Sequence, residues 1–361
     1  MPTLFLSEFL TSGEMPADQP LPESLAREGR AMLEAVGRDF LALPDQRLVL
    51  TWDRRLPLPQ LGVQWPTYLT TDVDIAEVKQ LQSTCQRVTL QLHDDRSAAT
   101  GFDWCCQQAD ASLIIAPEIN GELARQVCLA RQHTAVAPCN AVSFAVEVCS
   151  DKRALFQLLS HHLIPTIPTQ LVADGDIAEL PAFASNDQLI VKPIDGAGSL
   201  NILHFTPAEF ERWQSSIDEP DRWIVQPFLS GRALSVAGIF NHQGSLVHVW
   251  PVAEQHLDSR TFEYRGGRIP AANVDLGAVD KLIEAARLAL PGLRGYIGFD
   301  LLQLPDGKLL LVEVNPRLTT SYVGYRALAD ESLAPWLMPD RVPGRAPHWR
   351  ETVVRFTANG T

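Results

Sequence analysis

The sequence predicts a mixed protein, with an α/β layer followed by α+β structure, and three observations carry that reading. The first third alternates short apolar runs with stretches of helical periodicity. Further on, GYIGFDLLQLPDGKLLLVEVN reads as two apolar strands around Pro305, Asp306 and Gly307, since Asp-Gly between hydrophobic runs is a strong hairpin signal. With 361 residues and 46% hydrophobic content, the chain can bury a sizeable core and divide into two or three domains.

Composition then excludes several classes. Only 20% of residues are charged, too few for a disordered chain, and a formal net charge of −13 argues against a nucleic-acid partner. The N-terminus lacks the basic and apolar regions of a signal peptide, and no apolar run approaches membrane-spanning length, so a soluble cytoplasmic protein is expected. The six cysteines form no C-x-x-C pair, which suits reduced thiols; Cys105 and Cys106 are expected to be buried in a helix rather than redox-active.

In chain order, TLFLSEF is a short strand, PESLAREGRAMLEAVGRDFLAL a helix, RLVLTWD a strand ending in an acid, and ADASLII a buried strand broken at Pro117 before another helix. Alternating β and α elements suggest a parallel, Rossmann-like layer, and no G-x-G-x-x-G follows its strands, so a dinucleotide site there is improbable. Glu8, just past the first strand, is expected to be solvated. The stretch SDKRALFQLLSHHLIPT then gives a helix capped by Ser150 or Asp151 and stopped before Pro165. Lys152 in its first turn opposes the helix dipole, which an anionic ligand would explain and an exposed lysine would explain equally well.

QLIVKPIDGAGSLNI reads as a strand ending at Lys192, followed by a loop of small residues at Gly196, Ala197, Gly198 and Ser199. Such a loop lets backbone N–H groups approach a phosphate, though plain turns share the composition. RWIVQPFLSGRALSVAGIF is an apolar strand, a kink at Pro227 and a second strand after Gly231; it can present backbone groups to a purine edge beside Phe228 and Leu229, or serve as an ordinary connection. In the hairpin, a turn centred between Asp306 and Gly307 places Asp300 opposite Glu313, where like charges are destabilising unless a cation lies between them. Asn315 shares the strand face of Glu313, so the three supply hard oxygen donors of the kind that Mg²⁺ takes.

The order SDKRALFQLL, VKPIDGAGS, VQPFLSG, GFD, EVNPR resembles the ATP-grasp superfamily over roughly residues 110 to 330. The resemblance implies a Rossmann-like N-terminal domain at 1–115, a central subdomain with its linker at 116–220 and a C-terminal subdomain at 221–335, with ATP between the two subdomains, and a tail at 336–361. It assigns Lys152 and Lys192 to the ATP phosphates, Asp195 to Ser199 to the phosphate loop, Gln226, Pro227, Phe228 and Leu229 to the adenine hinge, and Asp300, Glu313 and Asn315 to Mg²⁺, with Mn²⁺ as the alternative. Arg317 takes the role of the arginine that steadies phosphates and the reacting acyl group. Two departures stand out: Ala233 replaces an acid that bonds the ribose in many relatives, and Pro227 replaces a common hinge acid and removes a backbone N–H.

A narrower likeness covers the whole chain. FLSEFLTSGEM, SLAREGRAMLEAVGRDF, ADASLIIAPEINGEL, EYRGG and NPRLTTSYVGYRAL resemble the tyramine–glutamate ligase group of methanofuran biosynthesis, which joins an aryl-ethyl amine to the side-chain carboxylate of glutamate. It implies a carboxylate and an amine as small-molecule substrates, an acyl-phosphate intermediate and, as in many relatives, a homodimer. Substrate recognition is expected at Tyr264, Arg265, Gly266 and Gly267, where YRGG also reads as a tight turn, and at Thr319, Thr320, Ser321 and Tyr322, where turn-capping is an equal reading. Two rival expectations are another amino-acid ligase or kinase of the same fold, and a nucleotide-binding regulatory protein without turnover.

Overall fold

In a computed structural model, which describes residues 2–16, 18–65, 82–85, 87–93, 98–133, 137–175, 188–196, 201–258 and 260–357, the alternating first third forms one sheet between helices. Its strands are β1 (Thr3–Glu8), β2 (Arg47–Asp53), β3 (Gln82–Cys85), β4 (Val88–His93), β5 (Ala111–Ile115) and β6 (Ala137–Pro138), in the order β3-β4-β2-β1-β5-β6. Neighbours run parallel except β3, which folds back antiparallel onto β4. β5 is buried throughout and β1 nearly so, as a parallel sheet covered on both faces requires. On one face, helix α1 (Glu23–Ala42) packs Leu33, Val36 and Phe40 against Leu4, Leu6, Leu48 and Leu50. On the other, α2 (Ala98–Gln107) places Cys105 and Cys106 against Phe5 and Ile114. Burial raises both thiols, Cys106 to about 12, so they are protonated packing groups, as the sequence led us to expect.

After α3 (Glu122–Arg131) come α4 (Ser143–Ser150) and α5 (Lys152–His161). Asp151 caps α5, accepting from the Arg153 and Ala154 amides at 2.9 and 2.8 Å, while the Ser150 hydroxyl turns back to the Val146 carbonyl. The next sheet is antiparallel: β7 (Gln170–Leu171), β8 (Leu189–Pro193), β9 (Leu203–Phe205) and β10 (Trp223–Pro227), ordered β7-β10-β8-β9. Leu189, Val191 and Val225 pack one face of it onto Phe210 of α6 (Pro207–Gln214). Alternation therefore sends Ile190, Lys192, His204 and Gln226 to the opposite face.

The third sheet comprises β11 (Arg232–Phe240), β12 (Leu246–Val249), β13 (Ala253–Leu257), β14 (Tyr264–Ile269), β15 (Gly295–Gln303), β16 (Leu309–Asn315) and β17 (Val354–Phe356). Its order is β16-β15-β11-β13-β14-β17, with β12 beside β11. The sheets place their limits later than the expected breaks: β6 belongs to the first sheet and β10 to the second, and β17, in the stretch read as a tail, closes the third. YRGG lies in β14 rather than in a turn, and the reason is close packing: a Cβ on Gly266, whose φ is 123°, would sit 2.2 Å from the Phe356 carbonyl oxygen of β17. Helix α7 (Leu276–Ala289) covers the sheet, and α8 (Ser321–Leu328) follows the β15–β16 hairpin.

Helix α8 joins the first and third sheets into one core, with Tyr322, Tyr325 and Trp336 in the same cluster as Leu33 and Phe40 of α1. Asp39 of α1 is 1% exposed; it accepts from the Tyr322 hydroxyl and pairs with Arg326 Nε at 2.9 Å. Burial pushes its carboxyl up to about 6 against those two partners. Replacing Asp39 with Ala strips a buried hydroxyl and a cation of their partner and is expected to lower unfolding stability by roughly 3 kcal/mol. A denaturant midpoint equal to that of the wild type would show that the contact contributes nothing.

Candidate functional site

The site is built on the β15–β16 hairpin. Asp300 stands opposite Glu313, Phe299 opposite Val314, and Gly298 opposite Asn315. The turn is centred on Asp306, because Leu304 donates to the Lys308 carbonyl and Gly307 to the Leu304 carbonyl, rather than between Asp306 and Gly307. A bulge beyond Asp300, which pairs Leu301 with Leu311 and leaves Val312 without a partner, restores the Asp300–Glu313 pairing.

Two acids in that position need cations, and strand β8 of the second sheet and the first turn of α5 each provide one. Lys192 Nζ donates to Glu313 Oε1 at 2.8 Å, and Lys152 Nζ lies 3.9 Å from the same oxygen while donating to the Gly196 carbonyl at 3.0 Å. Burial pushes the Glu313 carboxyl up; Lys152 and Lys192 more than reverse this and hold it at about 2. Among the described residues Asp300 makes no ion pair. Burial, then the Glu313 charge, raise it to about 6, against hydrogen bonds from Asn315 Nδ2 at 2.8 Å and Gln255 Nε2 at 3.0 Å and against the Arg317 charge, which lowers it. Lys152 therefore occupies its unfavourable place in the first turn of α5 to reach across to the hairpin.

The donor set suits a hard divalent cation: two carboxylates face each other across a strand pair, one of them driven toward its neutral form by burial and then by the other's charge. Among the described residues no group of three His, Cys, Asp or Glu gathers for a metal, so a third oxygen beside this pair would have to come from a neutral group such as the Asn315 amide. That amide now donates to Asp300 through its nitrogen; an amide turned about would present its oxygen instead.

Arg317, beyond the hairpin, makes a two-pronged pair with Glu118 at 2.9 and 2.8 Å, both side chains largely buried. Burial opposes its charge, and Glu118 more than restores it. Glu118 escaped sequence reasoning, although its place just past the carboxyl end of the parallel strand β5 is where ligands of open α/β sheets gather. Of the run after Arg317, Thr319 bonds Tyr296 at 2.9 Å and Thr320 donates to Glu28 of α1 at 2.9 Å. Ser321 bonds Ser235 at 3.1 Å, and Tyr322 is held in the core by Asp39. The Tyr264 hydroxyl is shielded and has no hydrogen-bond partner among the described residues, whereas Arg265 is exposed and pairs with Glu263 at 3.0 Å. Gly266 and Gly267 serve strand packing.

Around the second sheet, Asp195 accepts from the Asn120 amide at 2.8 Å and lies 3.4 Å from Arg222, docking the loop after β8 onto the one after β5. Ala197, Gly198 and Ser199 lie outside the described residues. Gln226 is buried and donates to Thr169 at 2.8 Å. Phe228 donates its amide to the Gln188 carbonyl at 2.8 Å, and since alternate residues of an antiparallel pair face opposite edges, Pro227 and Leu229 turn their backbone groups away from β8. Ala233 pairs with Leu302 and brings no polar group.

Glu8 is 3% exposed, not solvated. Its carboxylate accepts from the Leu10 and Thr11 amides at 3.2 and 2.9 Å, and the absence of a side chain at Gly29 makes room, since a Cβ there would lie 2.3 Å from the Glu8 carboxyl carbon.

Comparison with known proteins agrees with this architecture. Residues 149–321 match the family model of the ATP-grasp domain. Among solved structures, a protein described as of the ATP-grasp superfamily from Archaeoglobus fulgidus is 24% identical, with a TM-score of 0.63 over 93% of this chain and 88% of its own. N5-carboxyaminoimidazole synthetase from Staphylococcus aureus is 11% identical, with a TM-score of 0.62 over 95% of this chain and 78% of its own. L-amino acid ligase from Bacillus licheniformis is 14% identical, with a TM-score of 0.59 over 93% and 73%. No curated protein matches the chain. The fold is the ATP-grasp fold, and among the described residues no helix is long and apolar enough to cross a membrane.

Burial raises the Glu8 carboxyl from the ordinary 4.5 to about 7. The folded state therefore binds the proton more tightly than the unfolded chain, and the stability this confers, roughly 3 kcal/mol, is fully present below the unfolded value and lost as pH rises through about 7. Glu8→Gln keeps an acceptor oxygen and removes the charge. Its melting temperature should decline less than that of the wild type between about pH 5 and about pH 8; parallel curves would show that the Glu8 carboxyl is not the source of the slope.

Proposed function

We propose that this protein is an ATP-dependent carboxylate–amine ligase that works through an acyl phosphate, joining glutamate to an aromatic amine or amino acid in the biosynthesis of a C1 carrier of the methanofuran type. The observation that carries the reading is the meeting of Lys152 and Lys192 at Glu313, directly opposite Asp300 and two residues from Asn315. Cations from β8 and α5 thereby meet oxygen donors of the β15–β16 hairpin, the arrangement a polyphosphate with a divalent ion needs. The ATP-grasp family match and the narrower resemblance to tyramine–glutamate ligases support the same reading.

A carboxylate is a poor electrophile because its leaving group is poor, so activation must precede attack by the amine. Lys152 and Lys192 hold the phosphates, and the backbone around Asp195 and Gly196 borders them. Asp300, Glu313 and Asn315 would hold Mg²⁺, or Mn²⁺, which would offset charge as the terminal phosphoryl moves. The carboxylate oxygen attacks that phosphorus and ADP leaves; the amine then attacks the acyl carbon and releases phosphate. Arg317, planar and permanently charged, faces the acyl phosphate and the oxyanion that follows. Glu118 is a positioning residue: it fixes the guanidinium by two hydrogen bonds. The Pro227 carbonyl and the Leu229 amide take the adenine edge.

ADP release that requires both a carboxylate and an amine tests the reading; ADP formed at one rate with or without amine and carboxylate would refute it. Glu313→Gln should abolish turnover with the fold intact by circular dichroism, and retained turnover would remove Glu313 from the metal site. Glu118→Gln loosens Arg317 without touching the nucleotide, so kcat should drop by roughly 100-fold while ADP affinity stays unchanged. An affinity that falls as much as kcat would assign Glu118 to nucleotide binding instead.

A further inference from the structure

Glu8, Glu28, Glu118, Asp300 and Glu313 all lie in the field of the Arg317 charge. All but Glu28 are fully engaged. Glu118 holds the guanidinium itself, Glu313 takes Lys192, Asp300 takes the Asn315 and Gln255 amides, and Glu8 takes the Leu10 and Thr11 backbone amides. Glu28, in the second turn of α1, accepts only from the Thr320 hydroxyl, which reaches its Oε2 at 2.9 Å. It makes no ion pair among the described residues, and its other oxygen, Oε1, has no hydrogen-bond partner and is not shielded from solvent.

Thr320 stands three residues beyond Arg317, so this hydrogen bond sets Glu28 beside the arginine that faces the acyl phosphate. Tyr264 ties it to the metal pair as well. Burial, then the charges of Glu28 and Asp300, raise the Tyr264 hydroxyl well above its ordinary value, yet the hydroxyl bonds neither carboxylate. Burial likewise raises the Glu28 carboxyl; the Thr320 hydroxyl and the Arg317 charge oppose this, and Glu263 and Arg27 act more weakly, in opposite senses. A half-buried carboxylate held by one neutral hydroxyl lacks a cation and has an acceptor oxygen to spare. A primary ammonium ion supplies both the charge and the N–H donors.

We infer that Glu28 receives the amine nucleophile as its ammonium ion, at Oε1, and takes a proton from it. The inference rests on the ligase reading above and fills the amine's place, which that reading leaves open. An ammonium nitrogen has no lone pair, so it must lose a proton before it attacks. One N–H bond breaks, Glu28 Oε1 takes the proton, and the freed electron pair forms the bond to the acyl carbon. The bond from that carbon to the phosphate oxygen then breaks, and the departing phosphate carries away a second N–H proton, leaving the amide. A carboxylate made more basic by burial suits the task, because it accepts the proton more readily.

Turnover of the full-length protein with Mg-ATP and glutamate, with tyramine or hydroxylamine as the acceptor, tests the assignment. Hydroxylamine is a free base at neutral pH and traps an acyl phosphate without a proton acceptor. Glu28→Gln keeps the size of the side chain and removes its charge and basicity. Its kcat/KM for tyramine should fall roughly 100-fold, while the hydroxamate forms at the wild-type rate. Retained hydroxamate formation certifies that the variant is folded and binds ATP and glutamate. A variant that uses tyramine as well as the wild type does overturns the inference alone. Equal loss with both acceptors also overturns it, because Glu28 would then serve glutamate or the fold. A wild type that forms the hydroxamate but no product with tyramine overturns it too. A wild type that forms no hydroxamate overturns the ligase reading and the inference together.

Discussion

The contact between Lys192 and Glu313 is the constraint on which the rest of the site depends. It spans two sheets that share no strand, and at 2.8 Å it fixes the face of one against the hairpin of the other. Without it, Asp300 and Glu313 would be a half-buried pair of like charges, an arrangement that polypeptides avoid unless a cation compensates. The protein resolves the conflict unevenly. Glu313 takes the lysines and is held at about 2, and Asp300 takes only neutral donors and is raised to about 6. One carboxylate is thus committed to charge and the other is held closer to its neutral form.

A second charge pair ties the first sheet to this centre. Arg317 emerges from the hairpin and Glu118 from the loop beyond β5, and their two-pronged contact joins elements far apart in sequence. The α1–α8 core beneath it supplies rigidity, since Tyr322 and Tyr325 are packed among residues of α1 and cannot yield without opening the interface. Thr320 and Glu28 extend the same seam toward solvent. Residues of the run after Arg317 accordingly divide by depth: Thr319 and Thr320 line the seam, whereas Ser321 and Tyr322 belong to the core.

Backbone conformation is used sparingly but at telling places. Gly29 opens room for a buried carboxylate and Gly266 lets β17 approach β14, so both glycines serve packing between elements rather than turns. Phe262, by contrast, accepts an unfavourable φ where its ring stacks on His204 of another sheet. Each position reflects a contact made by a distant segment, which local sequence patterns do not encode.

Local sequence signals are enough to specify the elements around the site and the two strands at its centre. Apolar alternation, Asp151 as a cap and Asp-Gly as a turn signal depend on neighbours within a few residues, and β1, α1, β5 and α5 appear where those signals put them, whereas the Asp300–Glu313 pairing is reached through a bulge that offsets the shifted turn. The order of five short motifs also carried the fold class. Only the tertiary structure decided which charges meet. Glu118, Glu28, Gln255 and His204 have no sequence pattern that marks them, because their partners lie tens to hundreds of residues away and are selected by how sheets pack. Glu8 was read as solvated for the same reason: a carboxylate at a strand end is ordinarily exposed, and only the missing side chain of Gly29 on a helix packed across it allows the burial.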